Sequence, residues 1–271
     1  MQIARGEYIA FMDSDDWYPS ANVLEELYNS AKKFHVDIAG GSLICWDDGI
    51  LSPSNEYVFF SSGMVSFSDY QISFFYQRFI YSRRMLMDHG IVFPDYLRGQ
   101  DLPFFVNVMT TVGSFYASQL QTYCYRVGHK KINWDIRKAN DYMKCIIDLL
   151  KLSVEHGYPK LHMFALKEYQ NHYNRYITLK LDSNNPLFPS LIHNANGYIH
   201  PNLVKEGCHD IFTKYLFSSC SGIVFGNSTG FRVVRYVSCI KSIFILRYMS
   251  VVYLHQSKEL WGRLYKNLRR N

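Results

Sequence analysis

The segment that most constrains the fold is the stretch YIAFMDSDDW at residues 8–17. Its five apolar residues (8–12) are followed directly by the carboxylates Asp13, Asp15 and Asp16. An apolar run that ends in acids is typical of a buried β-strand whose carboxyl end opens into a crevice. Carboxylates this close repel, and each raises the pKa of its neighbours unless a cation compensates. Hard oxygen ligands favour Mg²⁺ or Mn²⁺ as that cation.

The composition indicates a folded protein. Hydrophobic residues make up 48% of the 271 residues and charged residues 19%, which excludes a disordered polymer. The net charge of +6 is mild; it favours anionic partners such as nucleotide phosphates or lipid head groups and does not require nucleic acid. The six cysteines form no C-x-x-C pair, which is typical of a reducing cytoplasm. No signal peptide and no membrane-spanning stretch is recognisable, so the sequence predicts a cytoplasmic location.

Hydrophobic periodicity predicts a β-α-β opening. The first strand covers residues 7–12, a helix follows from Pro19 to Phe34, and residues 36–45 form the next strand. The further predicted elements are a short strand at 57–60, a helix at 68–79, a helix that opens near residue 101, and short strands at 115–118 and 122–127.

The sequence changes character near residue 130. Helical patterns cover residues 136–150 and 161–181, and the stretch 184–201 contains three prolines, which predicts a linker. We therefore predict an α/β domain at 1–130 and a mostly helical region at 131–271. The basic, aromatic segment 231–271 could lie at a membrane surface or dock on the protein's own core, and the pattern leaves both open.

Four interpretations of the acidic segment at residues 13–17 compete. An EF-hand loop starting at Asp13 would need Gly and Glu where the chain has Tyr18 and Leu24, so it is excluded. An aspartyl phosphatase-like hydrolase would use Asp13 as nucleophile, although Trp17 does not fit its usual pattern. The segment could also be a solvated acidic turn before a helix. The fourth interpretation is a nucleotide-sugar site, where a metal stabilises the charge on a departing nucleoside diphosphate.

Three motifs in order favour the fourth interpretation. The segment ARGEYIAFMDSDDWYPS (4–20) resembles the family 2 glycosyltransferases of GT-A fold, in which A-x-G-E-Y-I leads into D-S-D-D-W. The segment IYSRRMLMDHGIVFPDYLRGQDLPFF (80–105) resembles the acceptor-side segment of that family, an arginine-containing helix followed by Gly-Ile-x-Phe and an E-D-x-P-F element. The segment TYCYRVGHK (122–130) resembles its aromatic-Arg-x-x-His strand.

The resemblance implies roles on the donor side. Asp15 would be the principal metal ligand, Asp13 would face the ribose or the metal, and Asp16 would support the site. His129 stands where some relatives place a histidine near the metal, and Arg126 would bind the nucleotide-sugar phosphates. For His129 and Arg126 a surface or packing role is the alternative.

On the acceptor side, the resemblance implies that Asp101 is the general base, because it matches the second acid of the E-D pair. Its chemistry suits that role, since a carboxylate at a helix N-terminus can take a proton from an acceptor hydroxyl. An ordinary N-cap before Pro103 is the alternative. Gln100 replaces the Glu of the family pattern and removes one negative charge beside the base. Arg83 and Arg84 are further candidates for phosphate or acceptor binding.

The resemblance also implies a fold and an activity. The fold would be an α/β one, an N-terminally truncated GT-A (Rossmann-like) mixed sheet flanked by helices and followed by a helical region. Family members normally have a further nucleotide-binding strand region before A-x-G-E-Y-I, so an oligomer or a partner could supply the missing half.

The implied enzyme is inverting and uses Mg²⁺ or Mn²⁺. It would move a sugar from a nucleotide-sugar, a UDP-sugar, to a glycan or lipid-linked glycan acceptor, working in the cytoplasm at the inner face of the membrane. The alternatives are an inactive remnant that acts as a binding or assembly partner, and the phosphatase-like hydrolase.

Overall fold

The described residues of the computed structural model form a six-stranded mixed sheet flanked by helices. The structure describes residues 1, 3–54, 56–128 and 132–207. The strands are β1 (Tyr8–Ala10), β2 (Ile38–Asp47), β3 (Ile50–Pro53), β4 (Gly63–Ser66), β5 (Phe79–Ser82) and β6 (Ser114–Arg126). Their order is β1-β5-β2-β6-β4, and β3 pairs with the second half of β2.

Helices surround the sheet and continue the chain beyond it. They are α1 (Val23–Phe34), α2 (Phe67–Tyr70), α3 (Arg83–Asp88), α4 (Asp101–Val112), α5 (Ile136–His156), α6 (Pro159–Thr178), α7 (Phe188–Gly197) and α8 (Pro201–Gly207). Helix α5 packs against α4, α6 and α7, which joins the helical region to the sheet region. The described residues fall in one compact unit. The predicted division at residue 130 stays a prediction.

Strand directions bring three strand ends to one edge of the sheet. Strand β5 is antiparallel to both β1 and β2, and β2 is parallel to β6. Strands β1, β2 and β6 therefore point the same way, and their carboxyl ends meet at one edge, where open α/β sheets commonly bind ligands. The predicted β-α-β order is correct, but β5 separates the two strands in the sheet.

The α1 helix covers this sheet because its apolar residues recur every turn. Val23, Leu27 and Ala31 are buried and pack with Ala39 of β2 and Ile80 of β5. Full burial of a Val or Leu side chain contributes about 1.5–3 kcal/mol each. The cluster fixes β1, β5 and β2 relative to each other, so the acidic loop after β1 has a firm base.

Close approach of β2 and β5 depends on a glycine. A Cβ added at Gly40 would lie 1.9 Å from the Phe79 ring, which is far inside van der Waals contact. The pairing of β2 with β6 shifts register just beyond Gly40 and then continues to the pair Trp46–Arg126. The irregularity places the ends of β2 and β6 side by side at the carboxyl edge.

Several predicted elements differ in the structure. The predicted helix at 68–79 is interrupted because Gln71 and Phe75 have φ of +55° and +61°, which an α-helix does not tolerate. Residues 57–60 form no strand, and the two strands predicted after residue 115 are one strand, β6.

The predicted linker at 184–201 is wrong, since it contains the helix α7. Phe188, Leu191, Ile192 and Ala195 recur at helical spacing and are buried, so a helix can be stabilised there despite the prolines. One of these, Pro189, lies in the first turn, where its missing N–H costs little.

The predicted features of segment 231–271 lie outside the described residues. Within the described ranges, each helix is too short or too polar to cross a membrane.

Candidate functional site

The acidic loop after β1 is anchored on the end of β6. Both oxygens of the buried Asp16 carboxylate accept hydrogen bonds, Oδ2 from the Tyr123 hydroxyl at 2.8 Å and Oδ1 from the Arg126 backbone N–H at 2.9 Å. Burial raises the pKa of Asp16, these two hydrogen bonds oppose the rise, and the charges of Asp13 and Asp15 add to it. Asp16 is therefore an anchor of the loop.

The Tyr123 hydroxyl links two parts of this loop. It donates to Asp16 and at the same time accepts the backbone N–H of Asp13 at 3.0 Å. Trp17 and Cys124 exchange two backbone hydrogen bonds, of 3.3 and 2.9 Å, next to this contact. The loop is thus held at three points along a few residues, which fixes the position of its acids.

The remaining acids of the loop are Asp13 and Asp15. Asp13 is exposed, and its Oδ2 accepts a hydrogen bond of 2.9 Å from the Gln77 amide. Asp15 is half-buried. Burial raises the pKa of Tyr125 on β6, and the charges of Asp16, Asp13 and Asp15 raise it further while Arg98 opposes them. All three acids therefore lie near the end of β6.

Asp101 reaches the same edge from another part of the sequence. It is the first residue of α4 and is half-buried. Burial raises the pKa of the Asp101 carboxyl, the N–H groups of Asp101 and Leu102 and the charge of Arg98 lower it, and the charge of Asp13 raises it. Asp101 and Asp13 therefore interact electrostatically, although they are distant in sequence.

A glycine lets the turn before α4 press against the helical region. Gly99 has φ of +83°, and a Cβ added there would lie 2.8 Å from the Tyr142 ring and 3.0 Å from the Cys145 sulfur. Most other residues would strain the backbone and clash at this position. The turn that precedes Asp101 is therefore tightly packed against α5.

Tyr76 packs against the segments that carry Asp13 and Asp101. Its ring centroid is 5.4 Å from that of Phe11, two residues before Asp13, and 5.8 Å from that of Phe104, one turn after Asp101. Burial raises the pKa of the Tyr76 phenol, and the charges of Asp13 and Asp101 raise it further. These aromatic contacts hold the segment before Asp13 against the first turn of α4, which begins at Asp101.

Arg126 brings a cation to the edge. Its guanidinium carbon lies 4.8 Å from the Trp46 ring centroid and 5.9 Å from that of Trp17, at the ends of β2 and the acidic loop. The two indole rings are themselves 6.0 Å apart, edge to face. Stacking on aromatic faces orients an arginine without neutralising it.

The structure places the other candidates differently. Arg83 and Arg84 begin α3 after β5, at the opposite edge of the sheet, where the Arg83 N–H donates to the Glu7 carbonyl at 2.8 Å. Gln100 is half-buried beside Asp101. His129 lies outside the described residues.

Sequence patterns did not reveal Tyr76, Gln77 and Tyr123 as members of this site. Tyr76 and Gln77 belong to a segment predicted as a helix, and they form a 3₁₀ turn before β5 instead. Tyr123 lies inside the third motif, yet only the fold shows which loop its hydroxyl contacts.

The chemistry of the acids fits Mg²⁺ or Mn²⁺, although no group of three or more His, Cys, Asp or Glu side chains is arranged around a metal position within the described ranges. Asp16 uses both oxygens within the protein, and Asp13 and Asp15 are the other carboxylates of the loop. Mg²⁺ is commonly held by one or two carboxylates together with phosphate oxygens and water. Two acids at a strand end fit such a site, in which a diphosphate completes the ligands.

Comparison with known proteins identifies a family that matches part of the chain. Residues 1–90 match the sequence model of the family described as "Glycosyl transferase family 2". No curated protein sequence matches the chain.

Among solved structures, S. aureus TarS (residues 1–349 of that protein) in complex with UDP-GlcNAc is similar, with a TM-score of 0.55 and 14% identity over 81% of this chain and 69% of that one. The same TarS fragment crystallised without that ligand gives a TM-score of 0.54 and 12% identity over 81% of this chain and 68% of that one. At such identities the likeness concerns the fold.

The predicted fold, a GT-A-type mixed sheet flanked by helices, is confirmed by the structure and by its similarity to TarS. The predicted family is confirmed over residues 1–90, which match the sequence model of glycosyl transferase family 2.

Proposed function

We propose that the chain is an inverting, metal-dependent glycosyltransferase that moves a sugar from a UDP-sugar to a hydroxyl group of a cell-surface polysaccharide or glycolipid. The observation that carries the proposal is that the segments of Asp13 and Asp101 pack together: the ring centroid of Phe11, two residues before Asp13, lies 5.6 Å from that of Phe104, three residues after Asp101. Asp13 would act on the donor side and Asp101 on the acceptor side. The similar fold of TarS, which was crystallised with UDP-GlcNAc, supports a nucleotide-sugar donor.

On the donor side, Asp13 and Asp15 would hold the Mg²⁺ or Mn²⁺ ion, with His129 as a further proposed ligand. When bound, that ion would neutralise the negative charge that develops on the leaving diphosphate. Arg126 would add a fixed positive charge at the phosphates, since stacking on Trp46 holds its guanidinium at the same edge. Asp16 would keep the loop in place through Tyr123.

On the acceptor side, Asp101 would act as the general base. Its carboxylate would take the proton of the acceptor hydroxyl while that oxygen forms a bond to the anomeric carbon. The bond from the anomeric carbon to the diphosphate breaks, and its electron pair leaves with UDP. Attack opposite the leaving group inverts the configuration. Burial raises the pKa of Asp101, which makes the ionised carboxylate a stronger base.

The place of action is also a proposal. Lipid-linked acceptors lie at the inner face of the cell membrane, and the basic, aromatic segment 231–271 could contact anionic lipid there. In this scheme residues 1–130 would carry the chemistry, and residues 131–271 would bring it to the acceptor.

Thermal unfolding with nucleotides tests the proposal. The full chain is heated with Mn²⁺ and each member of a panel of UDP-sugars, and with each component alone as a control. A ligand at one hundred times its Kd raises the free energy of unfolding by about 2.7 kcal/mol, so we expect a clear rise in Tm with one UDP-sugar and the metal together.

Two results would favour other functions. An unchanged Tm with the whole panel would contradict the donor site and favour an inactive remnant that binds a partner. Formation of a phosphoryl-analogue adduct on Asp13 would favour a phosphatase-like hydrolase.

A further inference from the structure

Two buried glutamines near the sheet differ in how their amides are used. Gln71 and Gln77 are 7% and 8% exposed. The Gln71 amide is bonded through both its oxygen and its nitrogen: Oε1 accepts the N–H groups of Lys160 and Leu161 at 2.8 and 3.3 Å, and Nε2 donates to the Ser68 carbonyl. It joins α2 to the start of α6. Gln71 is therefore explained by structure alone.

The Gln77 amide is bonded on one side. Its Nε2 donates to Asp13 Oδ2 at 2.9 Å, while its buried Oε1 has no hydrogen-bond partner within the described residues. Leaving a buried acceptor unsatisfied costs about 1–3 kcal/mol. Stability alone would favour an apolar side chain at position 77, so the amide calls for another explanation.

The backbone that carries Gln77 is held firmly on both sides. The neighbouring Arg78 guanidinium donates to the Gly41 carbonyl at 2.9 Å and lies 4.8 Å from the Phe79 ring centroid. The Tyr81 hydroxyl donates to the Tyr76 carbonyl at 2.6 Å. The Gln77 side chain therefore reaches the acidic loop from a well-held 3₁₀ turn before β5.

Asp13 is the acid that needs such an arm. It is exposed, so without a partner its carboxylate would sample several rotamers and lose that freedom on binding a ligand. The amide of Gln77 occupies one carboxylate oxygen and leaves the other available. A ligand then meets an oriented acid, and less conformational entropy is lost on binding.

We propose that Gln77 is a positioning residue of the donor site, which acts by orienting Asp13 for the metal–nucleotide complex. This inference rests on the proposed function, since it assigns Asp13 to the donor. It separates the two glutamines: Gln77 serves binding at a cost in stability, and Gln71 serves stability.

Two matched substitutions in the full chain test the inference. Gln77→Met and Gln71→Met each replace a buried amide by an apolar chain of similar length. We measure the Kd for UDP at saturating Mn²⁺ by calorimetry and the Tm without ligand. We expect Gln77→Met to weaken UDP binding about tenfold, as for loss of one hydrogen bond to a charged group, with a Tm that is unchanged or higher. We expect Gln71→Met to lower the Tm by roughly 4 °C or more and to leave the Kd within about twofold.

A third variant covers the case in which methionine at position 77 prevents folding. Gln77→Asn keeps an amide but is one carbon too short to reach Asp13, so it should weaken UDP binding as well. Wild-type affinity in a folded Gln77 variant would overturn the inference and leave the proposed function intact. Absence of UDP binding in the wild-type chain itself would refute the proposed function, and the inference with it.

Discussion

The polar groups of the helical region and two acids at the carboxyl edge of the sheet differ in how they are paired. In the helical region the amides of Asn140 and Asn185 exchange hydrogen bonds of 2.8 and 3.3 Å, and the Tyr176 hydroxyl donates to Asn140 at 2.9 Å. At the sheet edge Asp13 and Asp101 are like charges that interact, and neither forms an ion pair within the described residues. The first arrangement is complete within the protein, whereas the two acids at the sheet edge have no ion-pair partner among the described residues.

The difference is sharpest for a pair of half-buried acids, one in each region. Asp101→Asn removes the proposed base and should lower kcat by about 10²–10⁴, because general base catalysis contributes that much. UDP and Mn²⁺ should still bind, since the donor side keeps its acids. Turnover of UDP-sugar and the Kd for UDP, measured on the same preparation, check both points.

Asp148→Asn is the control for this substitution. Asp148 of α5 is also half-buried, and burial raises its pKa, but its Oδ2 accepts a hydrogen bond of 2.8 Å from Tyr96 in the loop before α4. We expect turnover to stay within about twofold of the wild type, because this hydrogen bond is a structural one. Equal losses of kcat in the two variants would contradict a special role for Asp101.

Breaking the bonded amides of the helical region should act on stability alone. Asn140→Ala leaves the Tyr176 hydroxyl and the Asn185 amide without their acceptor and should lower the free energy of unfolding by about 3 kcal/mol. Denaturant unfolding measures this loss, and kcat at a temperature where the variant is folded should equal that of the wild type. A variant that is stable but inactive would show that the two regions are coupled.

The sequence predicted the parts of the site that are local. The apolar run before Asp13 and the proline in the first turn after Asp101 are contiguous patterns, and both give the expected strand and helix. The two strands predicted at 115–118 and 122–127 are instead the single strand β6. The register of β6 shifts relative to β2, and such a shift depends on how two strands pair, which a local sequence pattern does not show.

The contacts that shape the site could not be predicted, because they depend on the sheet order. Gln77 reaches Asp13 only because β5 lies between β1 and β2 in the sheet. That order is set by burial of α1 on Ile80 and by the room that Gly40 leaves for Phe79. The hydrophobic periodicity around Gln77 does not indicate this strand order. It favours a helix, but the positive φ of Phe75 ends that helix.

The helical region should also respond to acid. The Nε2 of the buried His162 accepts the His200 backbone N–H at 3.0 Å, so that nitrogen carries no proton, and burial lowers the pKa of His162 to about 4. Burial likewise lowers the pKa of His172 to about 4.

Both folded pKa values lie below 6.5, so the unfolded chain binds more protons between these limits, and stability falls as the pH drops from 6.5 toward 4. We expect a loss of about 2 kcal/mol between pH 7 and pH 5.5, measured by urea unfolding. The buried acids Asp16 and Asp101 have raised pKa values and so act in the opposite sense, at lower pH. Replacing His162 by Gln should reduce the pH dependence by about half, and an unchanged dependence would contradict the assignment.

The smallest expected effect is that of a charge added next to Asp101. Gln100→Glu restores the acid that the family pattern has beside the base, and a like charge next to Asp101 should raise its pKa further. Because the base must be ionised, the acidic limb of the kcat–pH profile should move upward by about half a unit, while the plateau at alkaline pH stays the same.

Gln100→Met is the neutral control for this substitution and should leave the limb in place. If the glutamate variant also leaves it in place, Asp101 does not respond to a charge one residue away. The interaction between Asp101 and Asp13 would then also be too weak to influence the pKa of Asp101. If the limb moves upward, the low charge beside Asp101 in this chain is what keeps the base ionised near neutral pH, in spite of the burial that raises its pKa.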